Sequence, residues 1–339
     1  MISGTIAGSS SFTVYPLGEI TITRPSYSYY YIAYSPSTAS GTMWIASSIL
    51  ATPVSYQISS YSGMLKFGDS YPQYLSFESC TWRRIETNIP LFNQTSAFAK
   101  CSTLQKADLY KCTSLSSWAF YSCSSLLKVS LPMCEHIGYW VFHSCSSLLQ
   151  VSLPMCSEIG AWAFEGCYSL SQVSLPICKY VGDGAFEECS SLSQVNLPVC
   201  KYLLSSVFKD CSSLKQVSLP VCSLIWNFVF HSCTSLLQVS LPLCETIGAH
   251  TFEGCYSLSQ VNLPMCSYIG DYAFEECSSL RRITIGYSSV CNLGIGVFSG
   301  TRITPSTGSI YVPASLVSAY KSANGWLQYS AIIQSYPGL

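Results

Sequence analysis

The sequence predicts an α/β solenoid of stacked 22-residue coils, and three observations carry that prediction. Cysteines fall every eleven residues from Cys101 to Cys277, but alternate ones sit in different local sequence, so the true period is 22. One set opens stretches such as "CSSLLQVSLP"; the other follows the proline of "LPMCSEIG". Each period also holds a short strand-like L-x-x-V-x-L, and a period in the twenties with one strand per unit marks coils that stack. Finally, 49% of the 339 residues are hydrophobic and only 10% are charged, against about 25% charged in an average soluble domain. Such a chain has ample interior and few surface ions.

Taken in order, residues 1–75 are Ser- and Tyr-rich with alternating runs such as "SFTVYP", "EITITRP" and "VSYQISSY". They read as a small β-rich N-terminal domain or cap. The opening "MISGTIAGSSSFTVYP" has neither a basic start nor an apolar run, so it does not read as a secretory leader. The chain is therefore expected to be a mature piece of something larger, or to be made without that signal. Residues 76–300 are expected to form the solenoid. Its first coil is atypical, with Cys80 and Cys101 spaced by 21 and only fragments such as Ala97 and Phe98 surviving. Eight complete copies follow, opening at Cys101, Cys123, Cys145, Cys167, Cys189, Cys211, Cys233 and Cys255.

In the copy from Cys145, the positions Leu148, Val151, Leu153, Cys156, Ile159, Ala163 and Phe164 keep a small or apolar character throughout the array and are expected to point inward. One coil's apolar burial does not offset the entropy of ordering it. Stacking supplies the remainder, through strands about 4.8 Å apart. Residues 301–339 are expected to close the array, with a short helix over Pro313–Ser322 laying Leu316 and Tyr320 on the last coil. A second level of repetition lies above the coil: "VFHSC", "FEGCYSL" and "FEECSSL" recur after 88 residues, which implies duplication of a four-coil block.

The combination of "CSSLLQVSLP", "IG" and "AF" two residues before the next cysteine resembles the BspA-like leucine-rich repeats of bacterial surface and adhesion proteins. The likeness spans about Cys101 to Ile285, and the tail from Ile310 to Ile332 resembles the segment that closes such arrays. The resemblance implies a right-handed leucine-rich-repeat array with a parallel β-sheet on one face. It implies no particular ligand, because the fold serves many partners.

Chemistry is sparse. Stacked cysteines would place Cβ atoms about 4.8 Å apart with parallel vectors, longer than the roughly 3.8 Å of a disulfide, so two ladders of buried free thiols are expected. No C-x-x-C occurs, and alternate cysteines face different sides of a coil, so no zinc site is expected from them, nor any cofactor. His143 beside Cys145 invites a nucleophile reading, but this cysteine belongs to the structural ladder, while His143 and His231 lie four coils apart. Glu187 with Glu188, and Glu275 with Glu276, are adjacent acids that read as solvated turns.

Two surface columns remain. The residue before the strand valine is Lys106, Lys128, Gln150, Gln172, Gln194, Gln216, Gln238, Gln260 or Arg282, a uniform polar face that serves amide bonding between coils or recognition. The other column runs through Trp118, Trp140, Trp162, Gly184, Ser206, Phe228, His250 and Tyr272, where the framework holds and the residue varies. Its aromatics, with Tyr180 and Tyr202 beside them, are the candidate partner-binding residues, and packing is the alternative. Formal net charge is -1, with no basic stripe, so nucleic acid is not expected as a partner, and no apolar run long enough for membrane insertion occurs. The expectation is a noncatalytic binding or adhesion scaffold at the cell surface or outside the cell, facing a protein or glycan on a host or neighbouring cell. The alternative is a structural or receptor-binding part of a phage-like particle, hence a virion location.

Overall fold

The computed structural model describes residues 95–336 continuously and, before them, seven strands between residues 2 and 87. Cys80 and the connections between those strands lie outside the described residues. The chain divides into two compact units, Met1–Cys156 with Gly166–Leu170 and Ser157–Glu165 with Ser171–Leu339.

In the first unit, strands Ile2–Ile6, Ser10–Val14, Glu19–Thr23, Tyr29–Ser35 and Thr42–Ala46 pair antiparallel in sequence order. Pairing then turns parallel: Met64–Phe67, Arg84–Thr87, Lys106–Leu109, Lys128–Ser130 and Gln150–Ser152 follow in register. The parallel set starts at residues 42, 64, 84, 106, 128 and 150. The step of about one coil thus begins upstream of any cysteine-leucine motif, and the described part of 1–75 consists of strands. The carboxylate of Asp108 is buried on this sheet and paired with Arg84 at 2.9 Å and Lys106 at 2.8 Å.

The second unit repeats the parallel arrangement. Gln172–Ser174, Gln194–Asn196, Gln216–Ser218 and Gln238–Ser240 stack with glutamine over glutamine. Gln260–Leu263, Arg282–Ile285, Ser309–Val312 and Ile333–Ser335 continue in the same sense. A second side of the coil is a two-residue strand, as in Tyr202–Leu203, Leu224–Ile225, Thr246–Ile247, Tyr268–Ile269 and Asn292–Leu293. The glycine after it has a steric reason: a Cβ at Gly182 would lie 2.5 Å from the Ala161 nitrogen of the preceding coil. A third side is a turn whose amides also bond to the next coil, for example Gly184 N–H to Ser205 O and Phe186 N–H to Val207 O, both at 2.9 Å. The fold class is therefore a parallel-strand solenoid of ~22-residue coils with few helices.

All seven inward positions of the Cys145 copy are buried. One phenylalanine per coil forms an interior stack, with Phe186 between Phe164 at 5.1 Å and Phe208 at 5.6 Å between ring centroids. The 18 described cysteines are free and buried, as two ladders. Thiols of the first ladder donate to the phenylalanine carbonyl of the coil before, from Cys123 to Phe98 O at 3.0 Å through Cys277 to Phe252 O at 2.9 Å. Thiols of the second ladder donate within their own coil, two residues on, as Cys200 does to Tyr202 O at 3.1 Å.

The C-terminal closure follows the expected helix closely: a 3-10 turn Ala314–Leu316 runs into helix α1, Val317–Ser322. Tyr320 is buried and Leu316 half-buried. The closure also satisfies polar backbone that a further coil would have met. Cys291 N–H donates to the Tyr320 hydroxyl at 2.9 Å, the Trp326 indole donates to Cys291 O at 2.6 Å, and the Tyr336 hydroxyl donates to Ile285 O at 2.7 Å.

Candidate functional site

The aromatic column belongs to the turn side of each coil, and its backbone is left-handed. Trp118, Trp140, Trp162, Phe228, His250 and Tyr272 all have φ between 53° and 59°, as do Ser206 at 58° and Gly184 at 57°. That conformation is uncommon for bulky residues. Here it is held by the coil-to-coil bonds of the turn, which fix the peptide planes on both sides. Side chains in this column leave the coil at its edge and lie over one another.

The structure gathers the candidate residues into separate groups. In the first unit Trp118 stacks on Trp140, with ring centroids 5.3 Å apart and planes 6° from parallel. Trp118 is exposed and Trp140 half-buried. Beside them opens a depression of about 420 Å³ lined by Lys100, Tyr121, Trp140 and His143. In the second unit Phe228, His250 and Tyr272 form another stack, with centroid spacings of 4.8 and 5.2 Å. Trp162 is half-buried and lies over the next coil's glycine, since a Cβ at Gly184 would come within 2.5 Å of its Cδ1. Tyr180 and Tyr202 occupy the outward positions of two-residue strands and are about half exposed. Gly184 and Ser206 carry no ring, so the second unit's aromatics are not one continuous strip.

A further exposed column escaped the sequence reading. The residue between proline and cysteine in L-P-x-C is Met133 and Met155 in the first unit and Ile177, Val199, Leu243 and Met265 in the second, all exposed. The signal was present, because this nominally variable position is never polar in those copies. On the glutamine face, Gln238, Gln260 and Arg282 line a depression of about 340 Å³ together with Val239, Leu241 and Val261.

The thiols form no reactive group. Burial pushes Cys200 up to about 11 and Cys222 up to about 12 from an ordinary 9.0. The fully buried Cys167, Cys211, Cys233 and Cys255 are also raised well above the ordinary value, again chiefly by burial. Thiols held neutral are poor nucleophiles and poor metal ligands. Among the described residues, one group has metal-ligating character: His250, Glu253 and Glu275, half-buried, with ligand atoms within 4.8 Å of one another. No described helix is long and apolar enough to cross a membrane.

Comparison with known proteins agrees with the repeat. The model of the BspA type leucine rich repeat region matches residues 73–193, 113–225, 136–258 and 201–323. A search of curated proteins returns no match. Among solved structures, the chain is similar to a leucine rich cell surface protein from Faecalibacterium prausnitzii, at 18% identity over 94% of this chain and 98% of that one, with a TM-score of 0.38. It is also similar to a leucine rich repeat protein of T. pallidum, at 25% identity over 67% and 87% of the two chains, with a TM-score of 0.40. The pneumococcal vaccine antigen PcpA is similar at 16% identity over 93% and 96%, with a TM-score of 0.46. The family model covers well over half of the chain, which belongs to the BspA-type leucine-rich-repeat family.

Proposed function

We propose that this BspA-type leucine-rich-repeat chain is a noncatalytic scaffold that holds a protein partner at the cell surface. The observation behind this reading is the Trp118–Trp140 stack, exposed at its Trp118 end beside a depression that carries Lys100 and His143. Rigid aromatic rings give large contact area for little entropy lost, and such side chains dominate binding hot spots. The two indoles cover one face of each other. Met133 and Met155 form a separate exposed apolar column. Membership of the family supports surface display over a virion role. The buried, neutral thiols support a noncatalytic reading.

The test is the triple variant Trp118→Ser, Trp140→Ser, Trp162→Ser, assayed for melting and then for adhesion to candidate bacterial and host cells. Serine already occupies this left-handed position at Ser206, so the backbone tolerates it. The expected result is a folded protein that no longer adheres. A folded variant with unchanged adhesion overturns the reading, and so does loss of folding, which would assign the column to packing.

A further inference from the structure

Among the differences between the duplicated blocks, one changes the chemistry of a turn. Residues related by 88 are His143 and His231, Trp162 and His250, Glu165 and Glu253, Glu187 and Glu275. Three of the pairs are identical, whereas the fourth exchanges an indole for an imidazole. We infer that the second block carries a site for a first-row divalent transition metal, formed by His250, Glu253 and Glu275.

The geometry carries the inference. His250 and Glu253 share one turn, with His250 Nδ1 2.6 Å from Glu253 Oε2. Glu275 comes from the next coil, and the bond from Gly254 N–H to Glu275 O, at 2.9 Å, sets its distance from the other two. The three ligand atoms lie within 4.8 Å of one another. Metal bonds of about 2.0 to 2.2 Å would draw them together through small side-chain rotations. The imidazole is held flat between Phe228 and Tyr272, 1° and 20° from parallel, so its ring orientation is set before any ion arrives.

Charge points the same way. In the first block, Lys209 reaches Glu187 at 2.6 Å and neutralises it. In the second, Ser299 stands one coil beyond Glu275, and among the described residues no lysine or arginine pairs with Glu253 or Glu275. Two carboxylates and an imidazole then face one another without a fixed cation. One nitrogen and two oxygens suit zinc and its neighbours better than calcium or magnesium, which take oxygen alone. His231 serves outside the ligand set. Its Nδ1 is buried without a hydrogen-bond partner, which favours the proton on Nε2, 3.8 Å from Glu253 Oε1. At that distance it lies beside the carboxylate without a hydrogen bond to it. The remaining coordination position faces solvent and takes water or a partner's ligand.

The experiment is titration of ZnCl2 into the full chain by calorimetry, with CaCl2 and MgCl2 in parallel, on the parent and on H250W and E275Q. H250W installs the residue that the first block carries at Trp162, with the same left-handed φ of 54° there, and so preserves the fold. One zinc per chain is expected, with affinity falling at least about tenfold in each variant and no response to calcium or magnesium. X-ray absorption of the zinc form should show nitrogen and oxygen ligands and no sulfur. Zinc binding that both folded variants retain in full, a sulfur shell, or no zinc uptake by the parent would each overturn the assignment.

Discussion

The two cysteine ladders occupy the same interior and use the same residue, yet they do different work. In the first, Cys211 Sγ donates to Phe186 O at 3.1 Å across the coil boundary. In the second, Cys200 Sγ donates to Tyr202 O in its own coil. The first ladder ties neighbouring coils together, while the second ties the bend between two sides of one coil. A buried small hydrophobe would have filled either space, but a thiol also gives a weak donor to a carbonyl that water cannot reach. The lesson is that an eleven-residue spacing does not make two equivalent columns.

The broadest way to stress both ladders together is alkali. Burial raises thiols of both ladders, among them Cys167, Cys211 and Cys233 in the first, and Cys200 at about 11 and Cys222 at about 12 in the second. Above 9 the unfolded chain loses protons that the folded chain keeps, so the unfolded state binds fewer protons and stability falls as pH rises. Below 9 the contribution is fully present. Each thiol loses about 1.4 kcal/mol per pH unit within its window, and several such losses exceed a total stability of about 5 to 15 kcal/mol. Circular dichroism should therefore show a flat plateau to about pH 9 and cooperative unfolding by about pH 11. A plateau extending past 11 would mean that the thiols are not the buried neutral groups described.

Next in size is the partner of the first ladder. Phe186 is fully buried between Phe164 and Phe208, and its carbonyl accepts both Cys211 Sγ and Cys189 N–H. Phe186→Ala should cost about 3 to 5 kcal/mol in denaturant titration, from lost transfer energy and the cavity left. A cost below about 1 kcal/mol would remove the ring stack from the list of what holds coils together.

The finest comparison sets one ladder directly against the other. Cys211→Ala removes an inter-coil bond but leaves Phe186 O its amide donor, so the cost should be about 1 to 2 kcal/mol. Cys200→Ala removes only a local bond and should cost roughly 1 kcal/mol or less. If Cys200→Ala proves the more damaging, the division of labour between the ladders is wrong.

Much of the molecule was legible because each coil's neighbours are near-copies of itself. Leu148, Val151 and Phe164 could be placed inside from periodicity alone, since a position that stays apolar in eight copies meets its own kind above and below. The closing helix was legible from its proline and its apolar spacing. The parallel strands Thr42–Ala46 and Met64–Phe67 were not, because coil-length spacing without the cysteine-leucine motif leaves no periodic trace. The candidate site was legible as columns, but not how its rings group in space. Gly184 and Ser206 break it, and the L-P-x-C column passed as variable because its residues differ while their polarity does not.

By itself, then, the sequence determined the period, the interior and the family, because a repeat turns each residue's environment into a copy of the last. Tertiary structure alone decided what meets across the coil. Whether a thiol bonds back to the preceding coil or locally is settled by stacking, while whether an indole covers a glycine and whether His250, Glu253 and Glu275 converge depend on the left-handed turn. That turn uses Trp118, Ser122, His250 and Glu276 as readily as Gly254, so no residue type announces it. Its conformation is imposed by hydrogen bonds from the neighbouring coil, which exist only once the coils have stacked.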